Sequence, residues 1–145
     1  MYLEDLNVGD IYISEQYQLD QTQIIEFARM YDPQAFHVDP EAAEKSAFQG
    51  LAASGWHTTA ISMRLLVNSL PFSDGMIGTG AQIEWPIATR PGDCLQVETR
   101  IVDIRHSRSK PDRGIVTLEC LTKNQNGEIC QRMATKIFVM KKPAQ

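Results

Sequence analysis

Tyr31–Asp39 reads YDPQAFHVD, which places an acid, Asp32, five residues before an imidazole, His37. A carboxylate and an imidazole on one short connection can hold a single water between them and move its protons, the equipment of general acid–base catalysis. A second candidate lies where Ser54-Gly55 opens the run WHTTAISMRLLVNSL, Trp56–Leu70. The first N–H groups of a helix lack intrahelical partners and carry the positive end of its dipole, so the Gly55 N–H suits a developing oxyanion. Glycine there leaves no Cβ between the backbone and a ligand. Each feature also has a plainer reading. Asp-Pro is an ordinary turn, a lone histidine is more often structural, and Ser54 can simply cap the helix.

Other reactive side chains form weaker patterns. His57, in the first turn after Gly55, could line a pocket with Ser54 and Trp56, although a structural role suits it better. The three histidines His37, His57 and His106 have no HxH or HExxH spacing, so no metal is expected. There is no GxSxG, no cysteine at a helix N-terminus, and GMIGTG over Gly75–Gly80 does not follow a strand as a dinucleotide fingerprint would. No cofactor is expected. Arg105–Arg113, RHSRSKPDR, gathers Arg105, Arg108, Lys110 and Arg113 against the single acid Asp112. Such a cluster could meet the phosphates of coenzyme A, or be no more than a solvated hairpin tip.

These residues need elements to position them. Asp20 can cap a helix to about Tyr31, with Ile24, Phe27, Ala28 and Tyr31 on one stripe, and Pro33 ends it. Asp39-Pro40-Glu41 starts a second, short helix, so helix boundaries pin the Asp32–His37 loop at both ends. Trp56–Leu70 is apolar or small nearly all round, which predicts a buried helix. Strands are expected over Ile11–Leu19, Ile77–Trp85, Cys94–Ile104, Gly114–Lys123 and Glu128–Met140. If Asn126-Gly127 forms a two-residue hairpin, paired residue numbers sum to 253, so that Cys120 faces Met133 and Cys130 faces Lys123. The pattern is α+β, a curved antiparallel sheet around one long helix.

Length and charge bound the rest. The 145 residues fit one domain spanning 1–145, and a net charge of −4 gives no general attraction to nucleic acid. Cys94, Cys120 and Cys130, odd in number and without a CxxC, read as reduced thiols. MYLEDLNVGD is not a signal peptide and no run is long and apolar enough for a membrane span, so a cytoplasmic protein is expected.

The run FARMYDPQAFHVDPEAAEKSAFQGLAASG from Phe27 to Gly55, followed later by PGDCLQVETRIVDIR, resembles the MaoC-like (R)-specific enoyl-CoA hydratases and dehydratases. The resemblance implies a hotdog fold, a homodimer with a continuous sheet, and an acyl thioester of coenzyme A or acyl carrier protein as substrate. It assigns the acid to Asp32, the imidazole to His37 and the oxyanion donor to Gly55. Three positions depart from the family pattern. Gln34 stands for the usual Asn, Ser54 for a frequent His, and Met63 for a frequent serine, with Ser62 one residue off. Two other functions stay open: a hotdog thioesterase, against which the absence of Asp and Glu from Trp56–Leu70 counts, and an acyl-binding module without turnover.

Overall fold

The computed structural model describes residues 1–144. After a 3-10 turn at Leu3–Asp5, the chain forms β1 (Ile11–Gln18), α1 (Gln21–Tyr31), α2 (Ala35–Val38), α3 (Pro40–Glu44) and α4 (Gly55–Ser69). Four strands follow: β2 (Ile77–Glu84), β3 (Cys94–His106), β4 (Arg113–Lys123) and β5 (Ile129–Met140). They make one antiparallel sheet in the order β1-β3-β4-β5-β2.

The caps read from sequence form as expected. The Asp20 carboxylate accepts the Gln23 N–H at 2.8 Å, and the Gln23 side chain answers at the Asp20 N–H, a closed capping box. Asp39 caps α3 with Pro40 in its first turn. The loop between α1 and α3 is less open than its sequence suggests, because it winds into the single turn of α2, which carries His37.

Alternation along β3 and β4 turns Leu95, Val97, Ile101, Val116, Leu118 and Cys120 inward, and α4 lies across this concave side. Ile61, Leu65, Leu66 and Leu70 of α4 and its C-cap meet them in the core. A long helix wrapped by a curved antiparallel sheet is the hotdog arrangement. The helix is not buried all round, however. Its outer face leaves Trp56, Met63 and Val67 at 59%, 43% and 42% exposure, and the edge strand β2 is exposed almost throughout.

The β4–β5 pairing matches the expected register through most of its length: Val116 with Ile137, Leu118 with Thr135, Cys120 with Met133. The turn differs. A two-residue type I′ turn needs φ > 0 at both central residues, but only Gly127 has it, at 75°. The chain instead closes Asn124 on Glu128, with the Gly127 N–H on the Asn124 carbonyl. Lys123 therefore pairs with Ile129 rather than Cys130, and a bulge at Cys130 restores the register beyond it.

Candidate active site

Asp32 is the C-cap of α1, its N–H on the Ala28 carbonyl at 2.8 Å, and Pro33 directs the chain away from the helix. The turn of α2 then swings His37 back over it, so that His37 Nε2 comes 3.3 Å from Asp32 Oδ2. Both groups are largely withdrawn from solvent, with side-chain exposures of 6% for His37 and 17% for Asp32. The other carboxylate oxygen accepts the Gln34 side-chain amide at 2.7 Å. Gln34, one of the departures from the family pattern, thus holds the acid. Burial pushes the Asp32 carboxyl up, but the hydrogen bonds from Gln34 and Ser54 and the nearby His37 outweigh it and keep the group below its ordinary value.

The far side of the imidazole is fixed as well. His37 Nδ1 lies 2.6 Å from the Ala52 carbonyl. A carbonyl only accepts, so Nδ1 carries a proton, and Nε2 is the ring nitrogen that faces Asp32. Ala52 can do this because the buried stretch Leu51–Ser54 is tied on both flanks. The Ala52 N–H donates to Phe36 and the Ala53 N–H to Thr89, at 3.2 and 2.9 Å. The Arg90 guanidinium adds bonds to the carbonyls of Phe48 and Gly50, at 2.5 and 2.9 Å. Arg90 thereby fastens the segment before α4 to the segment before β3.

That segment delivers Ser54 and Gly55 to the head of α4. Ser54 is the N-cap, its Oγ accepting the Trp56 N–H at 3.2 Å. No acceptor among the described residues takes the Gly55 N–H. Gly55 and His37 both border one pocket of about 530 Å³, with Phe48, Trp85 and Arg90 in its walls and Thr58, Thr89 and Cys130 deeper in. Thr58 donates to Thr89 at 3.0 Å, and burial raises the Cys130 thiol above its ordinary value. The need for glycine at position 55 has a source that the sequence could not show. A Cβ there would come within 2.6 Å of the Trp85 indole.

The structure therefore brings Asp32, His37, Ser54 and Gly55 into one cluster. His57 is buried at 7% exposure, stacked on Phe27 with centroids 4.4 Å apart, and does not border the pocket. Burial lowers its pKa, and its Nδ1 has no partner. Trp56 points outward and meets Trp85 edge-on at 5.4 Å. Arg105 and Arg108 do not join the cluster within the chain. Arg105 pairs with Asp103 at 3.0 Å near the end of β3, whereas the pocket adjoins the start of that strand, roughly 30 Å away along it. Gln34 stood out in the sequence only as a departure from the family pattern; Ala52, Trp85 and Arg90 are the contributors that sequence reading passed over. Only Arg90, a lone cation before Pro91-Gly92, carried any signal in its residue type. Among the described residues no group of three or more His, Cys, Asp and Glu could hold a metal ion, and no helix is long and apolar enough to cross a membrane.

Residues 8–124 match the family model described as "MaoC like domain". A MaoC-like dehydratase from Rhodospirillum rubrum is similar over 99% of both chains, with 52% identity and a TM-score of 0.97. The uncharacterized protein YdeM of Bacillus subtilis is 30% identical over 86% of this chain and 89% of its own. The (R)-hydratase PhaJ1 of Pseudomonas aeruginosa shares the fold at a TM-score of 0.80, with 20% identity over 97% of this chain and 86% of that one.

Proposed function

The chain belongs to the MaoC-like dehydratase family, and on that premise we propose that it interconverts trans-2-enoyl and (R)-3-hydroxyacyl thioesters of coenzyme A or acyl carrier protein. The observation that carries this reading is the fixed orientation of His37: Nδ1 is bonded to the Ala52 carbonyl, and Nε2 lies 3.3 Å from the Asp32 carboxylate. With Nε2 acting as the base, a water held beside the pair donates one hydrogen bond to the carboxylate and one to Nε2. As its oxygen bonds to Cβ of the enoyl thioester, the O–H bond to His37 breaks. The imidazolium, steadied by the Asp32 charge, then returns that proton to Cα. Charge gathers meanwhile on the thioester oxygen, and the unpaired Gly55 N–H at the positive end of α4 is the donor to receive it. Loss of such a donor costs about 2.7–4 kcal/mol of transition-state stabilisation.

Loss of the enoyl absorbance of crotonyl-CoA measures this reaction directly. Purified protein is expected to consume it, and Asp32→Asn and His37→Ala are expected to stop it. Full activity in both variants would remove the dyad from the mechanism.

The reading includes a homodimer. Trp56, Met63 and Val67 on the outer face of α4 are exposed, and the outer edge of β2 has no strand partner. A second copy pairing edge to edge would extend the sheet and cover the helix face. Sedimentation equilibrium is expected to give twice the chain mass, and a charged residue at Met63 to shift it toward the monomer.

A further inference from the structure

Trp85 is the largest side chain in the pocket wall, 42% exposed yet tied to the core at its polar edge. Its indole Nε1 donates to the Gln131 side-chain oxygen at 3.0 Å. Gln131 has 0% exposure, and the same oxygen lies 2.7 Å from the Thr59 hydroxyl. An indole N–H can only donate, so the amide must turn its oxygen toward the ring. That orientation leaves Gln131 Nε2 buried without a partner. An unmet buried donor destabilises a fold, and what this one secures is the position of the indole. The ring then lies against Gly55 so closely that a Cβ would meet three of its atoms at 2.6, 2.7 and 2.8 Å.

We infer that Trp85, positioned by Gln131, determines the size of the acyl group the site accepts and restricts it to short chains; the inference rests on the acyl-thioester reading above. A thioester oxygen in reach of the Gly55 N–H puts its carbonyl carbon beside the indole. The ring is restrained on its polar edge by Gln131 and by Trp56 packed edge-on at 5.4 Å. Much of the remaining wall there is small, with Ala53, Thr58, Ala88 and Thr89, so the indole occupies the volume that a longer chain would need.

The experiment compares kcat/KM for enoyl-CoA substrates from crotonyl to dodecenoyl in the wild type, Trp85→Ala, Trp85→Phe and Gln131→Leu. Folding of each is checked by circular dichroism. The wild type is expected to prefer the short end. Trp85→Ala is expected to raise the ratio of octenoyl to crotonyl kcat/KM by about tenfold or more, the scale on which apolar pockets discriminate. Gln131→Leu is expected to move the ratio the same way by less, and to have no further effect on it in the Trp85→Phe background, where there is no indole N–H to hold. A residue acting only on stability would not show that dependence. An unchanged ratio in Trp85→Ala overturns the inference, as does a Gln131 effect that persists with phenylalanine at 85. If Trp85→Ala does not fold, the Phe and Leu variants decide. If the wild type turns over no enoyl thioester, the hydratase reading fails separately. The same ratio is then taken from the Kd values of octanoyl-CoA and butyryl-CoA by calorimetry, and failure of both to bind overturns this inference too.

Discussion

The two halves of α4 bury different chemistry. Toward its N-terminus the helix turns Thr58, Thr59 and Ser62 to the sheet side, where Thr89, Gln131 and Thr122 meet them at 3.0, 2.7 and 2.6 Å. Toward its C-terminus it buries Leu65, Leu66 and then Leu70 in hydrocarbon. Hydroxyl pairs contribute little net stability, because each replaces a bond to water, but their directionality fixes where the backbone lies. Leucines stabilise in proportion to the area they bury and are indifferent to angle. The half that carries Gly55 is thus the half held by directional bonds, while the other half supplies adhesion.

This contrast can be broken first at its active end. His37→Ala should lower kcat by about 10²–10⁴-fold, the usual contribution of one positioned proton carrier, while urea unfolding loses about 1–3 kcal/mol from the Ala52 carbonyl left unpaired. The complementary test is Leu66→Ala, at 2% exposure in the other half. It should cost about 2–5 kcal/mol in urea unfolding and leave kcat per folded molecule near the wild-type value. A large loss of kcat from Leu66→Ala would show that the two halves are not separable.

Smaller effects sharpen the division. Thr122→Val removes the hydroxyl facing Ser62 and should cost about 1 kcal/mol, with Ser62 retaining its bond to the Thr58 carbonyl at 2.7 Å. The smallest effect concerns pH. Burial lowers the His57 pKa in the fold, so below its unfolded value of about 6.5 the unfolded chain binds the proton more readily. Stability is therefore complete above about pH 6.5 and declines as pH falls from there toward the lower folded value. Urea midpoints across this window should fall less in His57→Phe than in the wild type, and an equal fall would remove His57 as a cause.

How much of this was legible follows from the range of each interaction. Caps, the proline stop after Tyr31 and the β4–β5 register are set by neighbours or by strict alternation, and they read directly from the chain. Asp32, His37 and Gly55 stood out by residue type and order. The Ala52 carbonyl that fixes the imidazole did not, because a backbone group leaves no mark in the sequence. Nor did the Trp85–Gly55 contact, which depends on how the loop after β2 crosses the head of α4. The short helix α2 escaped for a related reason: four residues carry too little periodicity to register, and tertiary contacts hold it. The breadth of the apolar surface on α4 was read correctly, and the inference that one chain must bury all of it was not.

The turn and bulge of the last hairpin have a consequence for how the chain tolerates changes in length. Asn124 already closes on Glu128, so removing Gln125 would leave Asn126-Gly127 as a two-residue connection with the closing pair intact. The losses would be local, the Gln125 bonds to the Cys94 N–H and to Asp93 at 3.0 and 2.9 Å. Removing Cys130, the extra residue of the bulge, would bring Gln131 next to Ile129 and leave Lys123–Ile129 and Thr122–Gln131 paired as before, so the two faces of β5 would be kept. Met133, Ile137 and Val139 would still face the core, and the loss would be the buried Cys130 side chain from the pocket lining. One-residue deletions five positions apart in the same hairpin therefore both preserve its register: one trims a surface loop, and the other straightens β5 where it lines the pocket.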